Sequence, residues 1–289
     1  MSDKKNEYFD PNKYLCDTIY GAVIGDALGV PFEFRERGTF TCTGMTGNGT
    51  YDQQPGTWSD DSSMILATCK SIKDNDGKIV IDDIRQNFEE WLYRGRFTPF
   101  GNVFDVGNTT RMALLYGEPQ VHERSNGNGS LMRIVPLAFV DCTDDDVRAV
   151  SAITHGHEIS MEACVIFINI FKECLNRSDD RDNKKLEDVI HGLKLSSPFE
   201  RLSHIDELPE SDIKSTGYVV DTLEAAVWCV MTSDNYADCL IKAVNLGEDT
   251  DTVACVAGAL GSLKFSFDEI PEAWVNEIKN KDLIQECLF

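Results

Sequence analysis

The chain has 289 residues, a length that allows one large domain or two ordinary ones, and 42% of its residues are hydrophobic. This composition is typical of a globular protein with a sizeable core and excludes a disordered or collagen-like chain. With 49 acidic and 27 basic residues the net charge is −22, and because such a surface repels phosphate backbones we expect no long nucleic acid as a partner. A small anionic ligand would need a local device, such as bound divalent cations, to overcome this field.

The N-terminus and the cysteines bear on the cellular compartment. The opening residues Met1–Glu7 lead into no apolar signal segment, and apolar stretches such as Ala163–Phe171 are far shorter than the roughly 20 residues of a membrane span. No C-x-x-C pair occurs among the ten cysteines, which favours reduced thiols. We therefore expect a cytoplasmic protein without a membrane contact, and a monomer.

Helical periodicity runs through the chain, while the period-two alternation of strands is almost absent. The predicted helices are 13–29, one that begins at Ser59-Asp60, 82–93, one capped by Thr143, 158–175, 216–230, 236–244, 252–265 and 271–279, with further helical stretches around Arg111 and Leu131. Residues 35–56, 177–183 and 196–211 lack periodicity and are predicted to be connections. Because no segment has the composition of a domain linker, the sequence predicts an all-α fold: a single compact domain of about a dozen helices over residues 1–289.

Two short polar segments place carboxylates and hydroxyls at predicted helix starts. The first is Gly56–Ser62 and the second is Gly247–Thr252. Partly buried neighbouring carboxylates repel one another unless a hard cation takes their oxygens as ligands, and oxygen-only donors select Mg²⁺, Mn²⁺ or Ca²⁺ over Zn²⁺. The alternative for either segment alone is ordinary N-capping. Small residues follow Asp249 and suit close helix packing, so that both segments can share one site with two metal ions.

A third segment, Ser125–Arg133, is interrupted by glycines and is predicted to enter an apolar helix. Free backbone N–H groups at such a start can hold a phosphate. The alternative is a simple tight turn, since Asn-Gly pairs are common turn formers. No Gly-Lys-Ser/Thr follows, so this is not a Walker loop.

Six short motifs occur in a fixed order along the chain. They are Gly25–Glu33, Trp58–Ser62, Asn108–Thr110, Gly127–Arg133, Thr154–Gly156 and Gly247–Thr252. This series, from about Tyr14 to Trp274, resembles the ADP-ribosylglycohydrolase family. The resemblance implies an all-α fold, a binuclear Mg²⁺ or Mn²⁺ centre, and removal of ADP-ribose from modified groups.

The resemblance also implies roles for individual residues. The implied ligands of two Mg²⁺ or Mn²⁺ ions are Ser59, Asp60, Asp61, Asp249, Asp251 and Thr252. The implied catalytic acids are Glu33, over the metals, and Asp105, beside the scissile ribose. The implied substrate contacts are Asn128, Gly129 and Ser130 at the pyrophosphate or proximal ribose, His155 near the ribose, and Tyr218 flanking the nucleotide.

The sequence departs from the family pattern in a few places. Ser59 and Ser62 stand where threonine is usual, which keeps the hydroxyl, and Glu248 stands where glycine or aspartate is common, which adds a charge near the metals. The stretch 262–266 lacks the Gly-rich ending often found there. Trp58 is expected to line the pocket or to pack in the core rather than to act chemically.

Together these features imply a metal-dependent hydrolase that removes ADP-ribose from a protein or small molecule and so reverses mono-ADP-ribosylation. We expect protein arginine as the acceptor, because a cationic guanidinium is drawn to an acidic surface whereas a neutral serine ether is not. The alternatives are a hydrolase of serine-linked, nucleobase-linked or O-acetyl-ADP-ribose, and a module that binds ADP-ribose without turnover. A binding module would have lost a metal ligand or Glu33, and every one of these positions is filled.

Overall fold

The computed structural model describes residues 11–176 and 183–289, which form twelve α-helices joined by loops and shorter 3-10 helices. The α-helices are α1 Pro11–Gly29, α2 Asp60–Asp74, α3 Ile81–Arg94, α4 Asn108–Tyr116, α5 Asp144–Ser151, α6 Glu158–Asn176, α7 Asn183–His191, α8 Val219–Met231, α9 Tyr236–Asn245, α10 Thr250–Gly261, α11 Glu272–Glu277 and α12 Lys281–Cys287. No β-strand occurs within the two described ranges. The predicted all-α fold with about a dozen helices is confirmed.

Helices α1 and α10 pack antiparallel at the centre of the molecule, with their backbones in contact. A side chain at Gly25 would place its Cβ 2.0 Å from the carbonyl oxygen of Ala254, and one at Gly29 would lie 2.4 Å from the Cα of Asp251. Glycine is therefore required at both positions for the helices to approach this closely. The pairing brings the C-terminal end of α1 against the N-terminal end of α10, where the acidic segment lies.

The other helices surround this central pair. Helices α2, α8 and α9 all contact α10, and α3 and α12 pack on the outer side of α2. The apolar faces merge into a single continuous hydrophobic core that reaches from Leu15 to Cys287. The rigid centre thus holds the starts of α2 and α10 side by side.

Local signals placed most helix ends within a few residues. Thr143 caps α5 in a full capping box with Asp146, as its sequence predicts. Helix α10 ends at Gly261, four residues before the predicted end, and the predicted helix 271–279 is shorter, with α12 following it as a separate helix. The predicted connection 177–183 lies almost entirely outside the described residues, and so do residues Met1–Glu7.

Two predictions made from periodicity are wrong, and one helix start is shifted by three residues. The stretch around Leu131 is not an α-helix but a turn followed by a 3-10 helix over Val135–Phe139, because Pro136 has no N–H to donate and would interrupt an α-helix. Helix α8 starts at Val219 rather than at residue 216, because the segment before it pairs with the third polar segment. The stretch 196–211, predicted to be a surface connection, contains a 3-10 helix over Glu200–Glu207 with two buried apolar side chains.

One helix could cross a membrane if only length and composition are considered. Within the described part of the chain it is the segment Lys13–Phe32, with a mean hydropathy of 1.2. Isolated polar residues interrupt its apolar runs, so no uninterrupted apolar stretch reaches the length of a span. In the structure 89% of this window is buried inside the protein. Its apolar surface is therefore covered by other helices, as expected for a core helix.

Candidate metal centre and active site

The N-terminus of α2 carries three of the residues implied as metal ligands. Ser59 caps the helix through its hydroxyl, which accepts a hydrogen bond from the backbone N–H of Asp61, and Asp60 precedes it in the first turn. All three side chains are buried. Carboxylates are favoured at this end of a helix by its unpaired N–H groups and its dipole.

Asp26 of α1 holds this helix start from the side. Its carboxylate accepts hydrogen bonds from the backbone N–H groups of Ser59 and Ser62, each at 3.0 Å, and from the Ser62 hydroxyl. Burial raises the pKa of Asp26 to about 6, although these hydrogen bonds act to lower it. One buried carboxylate thus satisfies backbone donors that the helix itself cannot satisfy.

The N-terminus of α10 meets that of α2. Asp249 occupies the N-cap position, and Asp251 and Thr252 lie in the first turn. The Thr250 hydroxyl donates to the carbonyl oxygen of Gly29 at 2.8 Å, which ties this end to α1. The Thr252 hydroxyl lies 3.4 Å from Oδ2 of Asp61, so the two helix starts face each other directly.

The carboxylates of these segments form two overlapping groups that share Asp251. In the first, one oxygen each from Asp26, Asp61 and Asp251 lie within 4.8 Å of one another, and in the second the same holds for Glu33, Asp249 and Asp251. This arrangement, called the acidic cluster below, also includes Asp60. The two acidic segments that the sequence analysis paired therefore do converge.

Several oxygens of the acidic cluster are buried without a hydrogen-bond partner. They are Oε2 of Glu33, Oδ1 of Asp61, Oδ1 of Asp249 and Oδ2 of Asp251. A buried carboxylate oxygen without a partner is costly. A buried cluster of this kind is retained where a bound ion or other group gives the carboxylate oxygens a partner.

Burial and mutual repulsion raise the pKa values of the carboxyl groups in the acidic cluster. Burial is the largest cause that raises the pKa of Asp60, Asp61 and Asp251 well above the usual aspartate range, and neighbouring carboxylates raise it further. The pKa of Glu33 is raised to about 8 by burial first, and then by Asp105 and Asp249. A cation at the centre would reverse both effects.

The donor set fits hard divalent cations. Carboxylates with two hydroxyls, from Ser59 and Thr252, offer only oxygen, the donor that Mg²⁺, Mn²⁺ and Ca²⁺ prefer. The four buried oxygens without partners point to where such ions would be held. Two overlapping groups that share one aspartate are an arrangement suited to two ions.

Glu33 and Asp105 lie beside the acidic cluster, and Tyr51 contacts both. Glu33 follows a 3-10 helix over Val30–Phe32, and the Thr50 hydroxyl donates to its backbone carbonyl at 2.6 Å. The Tyr51 phenol forms hydrogen bonds with the carboxyls of both Glu33 and Asp105, which lower the pKa of each, while burial raises both pKa values. The two implied acids are thereby brought to one place.

The third polar segment packs against the acidic cluster through Asn128. Its side-chain amide donates to Oδ2 of Asp249 and to the Thr222 hydroxyl, each at 2.8 Å. Its backbone N–H donates to the carbonyl oxygen of Gly217 at 3.1 Å, and Val219 donates in turn to Asn126 at 3.0 Å. This pairing fixes the loop and explains why α8 starts at Val219.

A buried arginine supports the same loop from beneath. The Arg133 guanidinium donates to the carbonyl oxygen of Gly129 at 2.7 Å and to the Thr154 hydroxyl at 3.0 Å, and it stacks on the ring of Phe88. The Thr154 hydroxyl in turn pairs with Nδ1 of His155 at 2.8 Å. Burial, followed by the charge of Arg133, lowers the pKa of His155 to about 3, so this imidazole is neutral at physiological pH.

The remaining implied substrate contacts surround this loop. Gly129 lies against the imidazole, since a Cβ there would be 2.9 Å from Cε1 of His155. Ser130 is fully buried, and its side-chain oxygen accepts a hydrogen bond from the Ser151 hydroxyl at 2.9 Å. Tyr218, at the N-cap of α8, pairs with Gly127 and is 36% exposed.

Comparison with models of known protein families identifies the family of this chain. The sequence model of the ADP-ribosylglycohydrolase family matches residues 12–288, nearly the whole chain. The chain belongs to the ADP-ribosylglycohydrolase family. The resemblance based on six motifs is confirmed, and so is the expectation that the chain is an enzyme of this family.

Relatives and a solved structure agree with this membership. An ADP-ribosylarginine hydrolase, Tri1, of Serratia proteamaculans is 30% identical over 92% of this chain and 75% of its own length. An ADP-ribosyl-[dinitrogen reductase] glycohydrolase of Rhodospirillum rubrum is 28% identical over 90% of this chain and 88% of its own. A solved structure described as an ADP-ribosylglycohydrolase-related protein complex matches with a TM-score of 0.78 at 27% identity, covering 96% of each chain.

In this member of the ADP-ribosylglycohydrolase family, three residues of the site were not assigned a role from the sequence. Asp26 stands in the first motif, yet its contacts are made with residues more than 30 positions away. Arg133 gave a signal, a single charge inside the apolar run Leu131–Ala138, which is typical of a buried charged group held by hydrogen bonds. Tyr51 gave none, because its segment has no periodicity and its contacts are tertiary.

Trp58 behaves as expected. The side chain is fully buried, and its indole N–H donates to the carbonyl oxygen of Lys279 at 3.0 Å. It also lines a cavity of about 10 Å³ together with Asp60 and Asp105. It therefore both packs in the core and borders the site.

Proposed function

We propose that this protein is a divalent-cation-dependent hydrolase that releases ADP-ribose from arginine side chains of modified proteins. The observation that carries the proposal is the set of four buried carboxylate oxygens without partners in the acidic cluster. Hydrogen bonds within the chain leave them unsatisfied. Three of them, on Asp61, Asp249 and Asp251, would be satisfied by two Mg²⁺ or Mn²⁺ ions, and the fourth, on Glu33, lies beside them. The proposed ligands are those implied by the family: Ser59, Asp60, Asp61, Asp249, Asp251 and Thr252.

The choice of arginine is supported by relatives and by charge. Two relatives, from Serratia proteamaculans and Pseudomonas putida, are named ADP-ribosylarginine hydrolases, and each match covers more than nine-tenths of this chain. The net charge of −22 favours a cationic acceptor at the mouth of the site. Serine-linked ADP-ribose, the other acceptor to be tested, carries no such charge.

Bound cations would supply charge compensation for the ribose hydroxyls and for the charge that develops as the glycosidic bond breaks. The rest of the chemistry lies with the chain. Glu33 and Asp105 lie beside the cluster, and we place the bond between the anomeric carbon and the acceptor nitrogen next to them. The Tyr51 phenol hydrogen-bonds to both carboxyls.

Hydrolysis of this bond requires a proton to be taken from water and one to be given to the leaving guanidine group. A carboxyl near the reacting atoms can take up and return that proton, and one oxygen of Glu33 lies within 4.8 Å of one oxygen each of Asp249 and Asp251. We assign Glu33 as the principal proton-transfer group and Asp105 as its partner across the Tyr51 hydroxyl. Water adds at the anomeric carbon, the carbon–nitrogen bond breaks, and free ADP-ribose and arginine result.

The polar loop supports binding of the ADP-ribose diphosphate. Backbone groups of Asn128, Gly129 and Ser130 lie beside the cluster, and neutral His155 packs against Gly129 without adding a charge of its own. Tyr218 presents a partly exposed ring beside the same loop for the nucleotide. In this proposal the cations and the loop together allow an acidic protein to bind an anion.

The proposal includes three features that belong with it: a single domain over residues 1–289, a monomeric state and a cytoplasmic location. Partners are ADP-ribosylated proteins or small molecules, with no long nucleic acid. Sedimentation of the purified protein tests the monomeric state directly.

The decisive experiment measures release of ADP-ribose from peptides that carry arginine-linked or serine-linked ADP-ribose. We expect release from the arginine-linked peptide with Mg²⁺ or Mn²⁺, loss of that release in EDTA, and recovery when the cation is returned. Asp249→Ala should lose cation binding in calorimetry while keeping its helical circular dichroism. Full turnover in exhaustively chelated protein would disprove the cation requirement, and faster release from serine would disprove the acceptor.

A further inference from the structure

Phe34 is a large apolar residue that stands out of the protein beside a proposed catalytic acid. It directly follows Glu33, its side chain is 70% exposed, and its φ is 64°. A bulky residue in the left-handed region is an outlier that persists only where its surroundings enforce it, and such residues concentrate at functional sites. The position therefore calls for an explanation in terms of binding.

Backbone contacts enforce this conformation. The N–H of Phe34 donates to the carbonyl oxygen of Glu248 at 2.6 Å, and the N–H of Glu248 donates to the carbonyl oxygen of Arg35 at 2.8 Å. Glu248 also has a positive φ, 61°, and it directly precedes Asp249. Two residues in the left-handed conformation, Phe34 and Glu248, are thus joined by backbone hydrogen bonds next to Glu33 and Asp249. These bonds hold the ring of Phe34 at the edge of the site.

Phe34 is the end of a row of three aromatic rings. The centroids of Phe34 and Tyr51 are 6.4 Å apart, and those of Tyr51 and Phe104 are 5.1 Å apart. Phe104 directly precedes Asp105, just as Phe34 directly follows Glu33. Each proposed acid therefore has an aromatic neighbour, and Tyr51 contacts both rings and both carboxyls. We call Phe34, Tyr51 and Phe104 the aromatic row.

The charge around the aromatic row is negative. Glu248 and Asp52 are both exposed and directly adjoin Phe34 and Tyr51 through backbone contacts or chain connectivity. Arg35, which directly follows Phe34, is engaged elsewhere, since its guanidinium lies over the ring of Phe40 at 5.0 Å. Aromatic faces with acidic neighbours attract a planar cation by stacking and by cation–π interaction.

We propose that the aromatic row is the acceptor subsite, and that it binds the planar cationic guanidinium of the modified arginine, with Phe34 as the specificity-determining residue. This inference rests on the proposed function. It separates the site into two halves: the polar loop around Asn128 for ADP-ribose, and the aromatic row for the acceptor. The cost of holding Phe34 in a left-handed conformation is explained by the stacking surface that it presents.

The test compares Phe34→Leu, which keeps apolar bulk without a π face, with Phe34→Trp, which restores one. For the arginine-linked peptide, Phe34→Leu should raise KM by about fivefold with little change in kcat, since a cation–π contact at a partly exposed site is worth about 1 kcal/mol. Phe34→Trp should return KM to the wild-type value. Tyr93→Leu, at an exposed aromatic of α3 outside the aromatic row, is the matched control and should leave both constants unchanged.

Two direct binding measurements complete the test. Inhibition by agmatine, a free guanidinium compound, should weaken in Phe34→Leu by the same factor as KM, while the affinity for free ADP-ribose measured by calorimetry should stay at the wild-type value. An unchanged KM and agmatine inhibition in Phe34→Leu would overturn the inference, and so would an equal loss of ADP-ribose affinity. If wild-type protein releases no ADP-ribose from arginine, the proposed function fails instead, and the two failures are thus distinguished.

Discussion

The side-chain amide of Asn128 donates a hydrogen bond to Oδ2 of Asp249 at 2.8 Å. The two residues are 121 positions apart, and the bond joins the polar loop proposed for the diphosphate to the acidic cluster proposed for the cations. The same amide also donates to Thr222 of α8. Asn128 therefore sets where one half of the site stands relative to the other.

We expect Asn128→Ala to reduce cation affinity or kcat/KM by about 10- to 100-fold, the usual effect of removing a partner that orients a metal ligand. The reason is that Asp249 keeps its charge but loses the donor that fixes its orientation. Calorimetric titration with Mn²⁺ and ADP-ribose release at several Mg²⁺ concentrations measure the two quantities. Asn169→Ala on α6, away from the cluster, is the control, and equal behaviour of the two variants would contradict the assignment.

Two substitutions of Asp26 should differ in their effect on the free energy of unfolding. Asp26→Ala leaves buried backbone N–H groups at the start of α2 without an acceptor and should lower the free energy of unfolding by about 3 kcal/mol, since each unsatisfied donor costs about 1–3 kcal/mol. Asp26→Asn keeps an acceptor oxygen and should lose much less. Urea denaturation in EDTA at pH 7 measures both, and a loss of the same size in the two variants would show that charge, rather than hydrogen bonding, is what Asp26 contributes.

Glu33→Gln should lower kcat far more than it changes substrate affinity. The amide keeps the size and the hydrogen bonding of the side chain but cannot take up or release a proton. Steady-state kinetics with the arginine-linked peptide, together with calorimetric binding of ADP-ribose, separate these effects. A wild-type kcat would move the proton-transfer role to Asp105, for which Asp105→Asn is the corresponding variant.

Stability in the absence of cations should fall as the pH rises from 6.5 to 8. The pKa of Glu33 is raised from 4.5 to about 8 by burial and by Asp105 and Asp249, so the folded protein binds more protons than the unfolded chain between these values. By linkage, the stability present below the unfolded pKa is lost as pH passes through the folded pKa. His155, with a pKa lowered to about 3, gives the opposite slope, but only below about pH 6.5, where the unfolded histidine is charged.

Thermal denaturation in EDTA at half-unit pH steps measures this slope. Glu33 alone should contribute a loss of about 1.6 kcal/mol over the window, at about 1.4 kcal/mol per proton and pH unit, and Asp60, Asp61 and Asp251, whose pKa values burial also raises, should add to it. Glu33→Gln should therefore reduce the slope without abolishing it, whereas saturating Mg²⁺, which keeps the carboxylates ionised throughout, should flatten it. A slope that is the same in Glu33→Gln as in wild type would show that another group titrates.

The amino-acid sequence determined the features of this protein that depend on near neighbours. The capping box at Thr143, the cap at Ser59 and the apolar periodicity of α3 and α6 all arise within one or two helical turns, so they can be predicted from the chain alone. The six motifs in order were enough to predict the family. The two acidic segments were paired correctly because like charges at two helix starts imply a shared counter-ion.

The tertiary structure alone decided how these segments meet. Asp26 reaches α2 from α1, Tyr51 joins Glu33 to Asp105, and Arg133 supports the loop from a turn that was predicted to be a helix. Each of these roles consists of contacts between residues far apart in the chain, and no periodicity encodes which distant group a polar side chain will meet. That partner is fixed by the close antiparallel packing of α1 and α10, because only once these two helices touch are the carboxylates buried together and their charge left for a cation to offset.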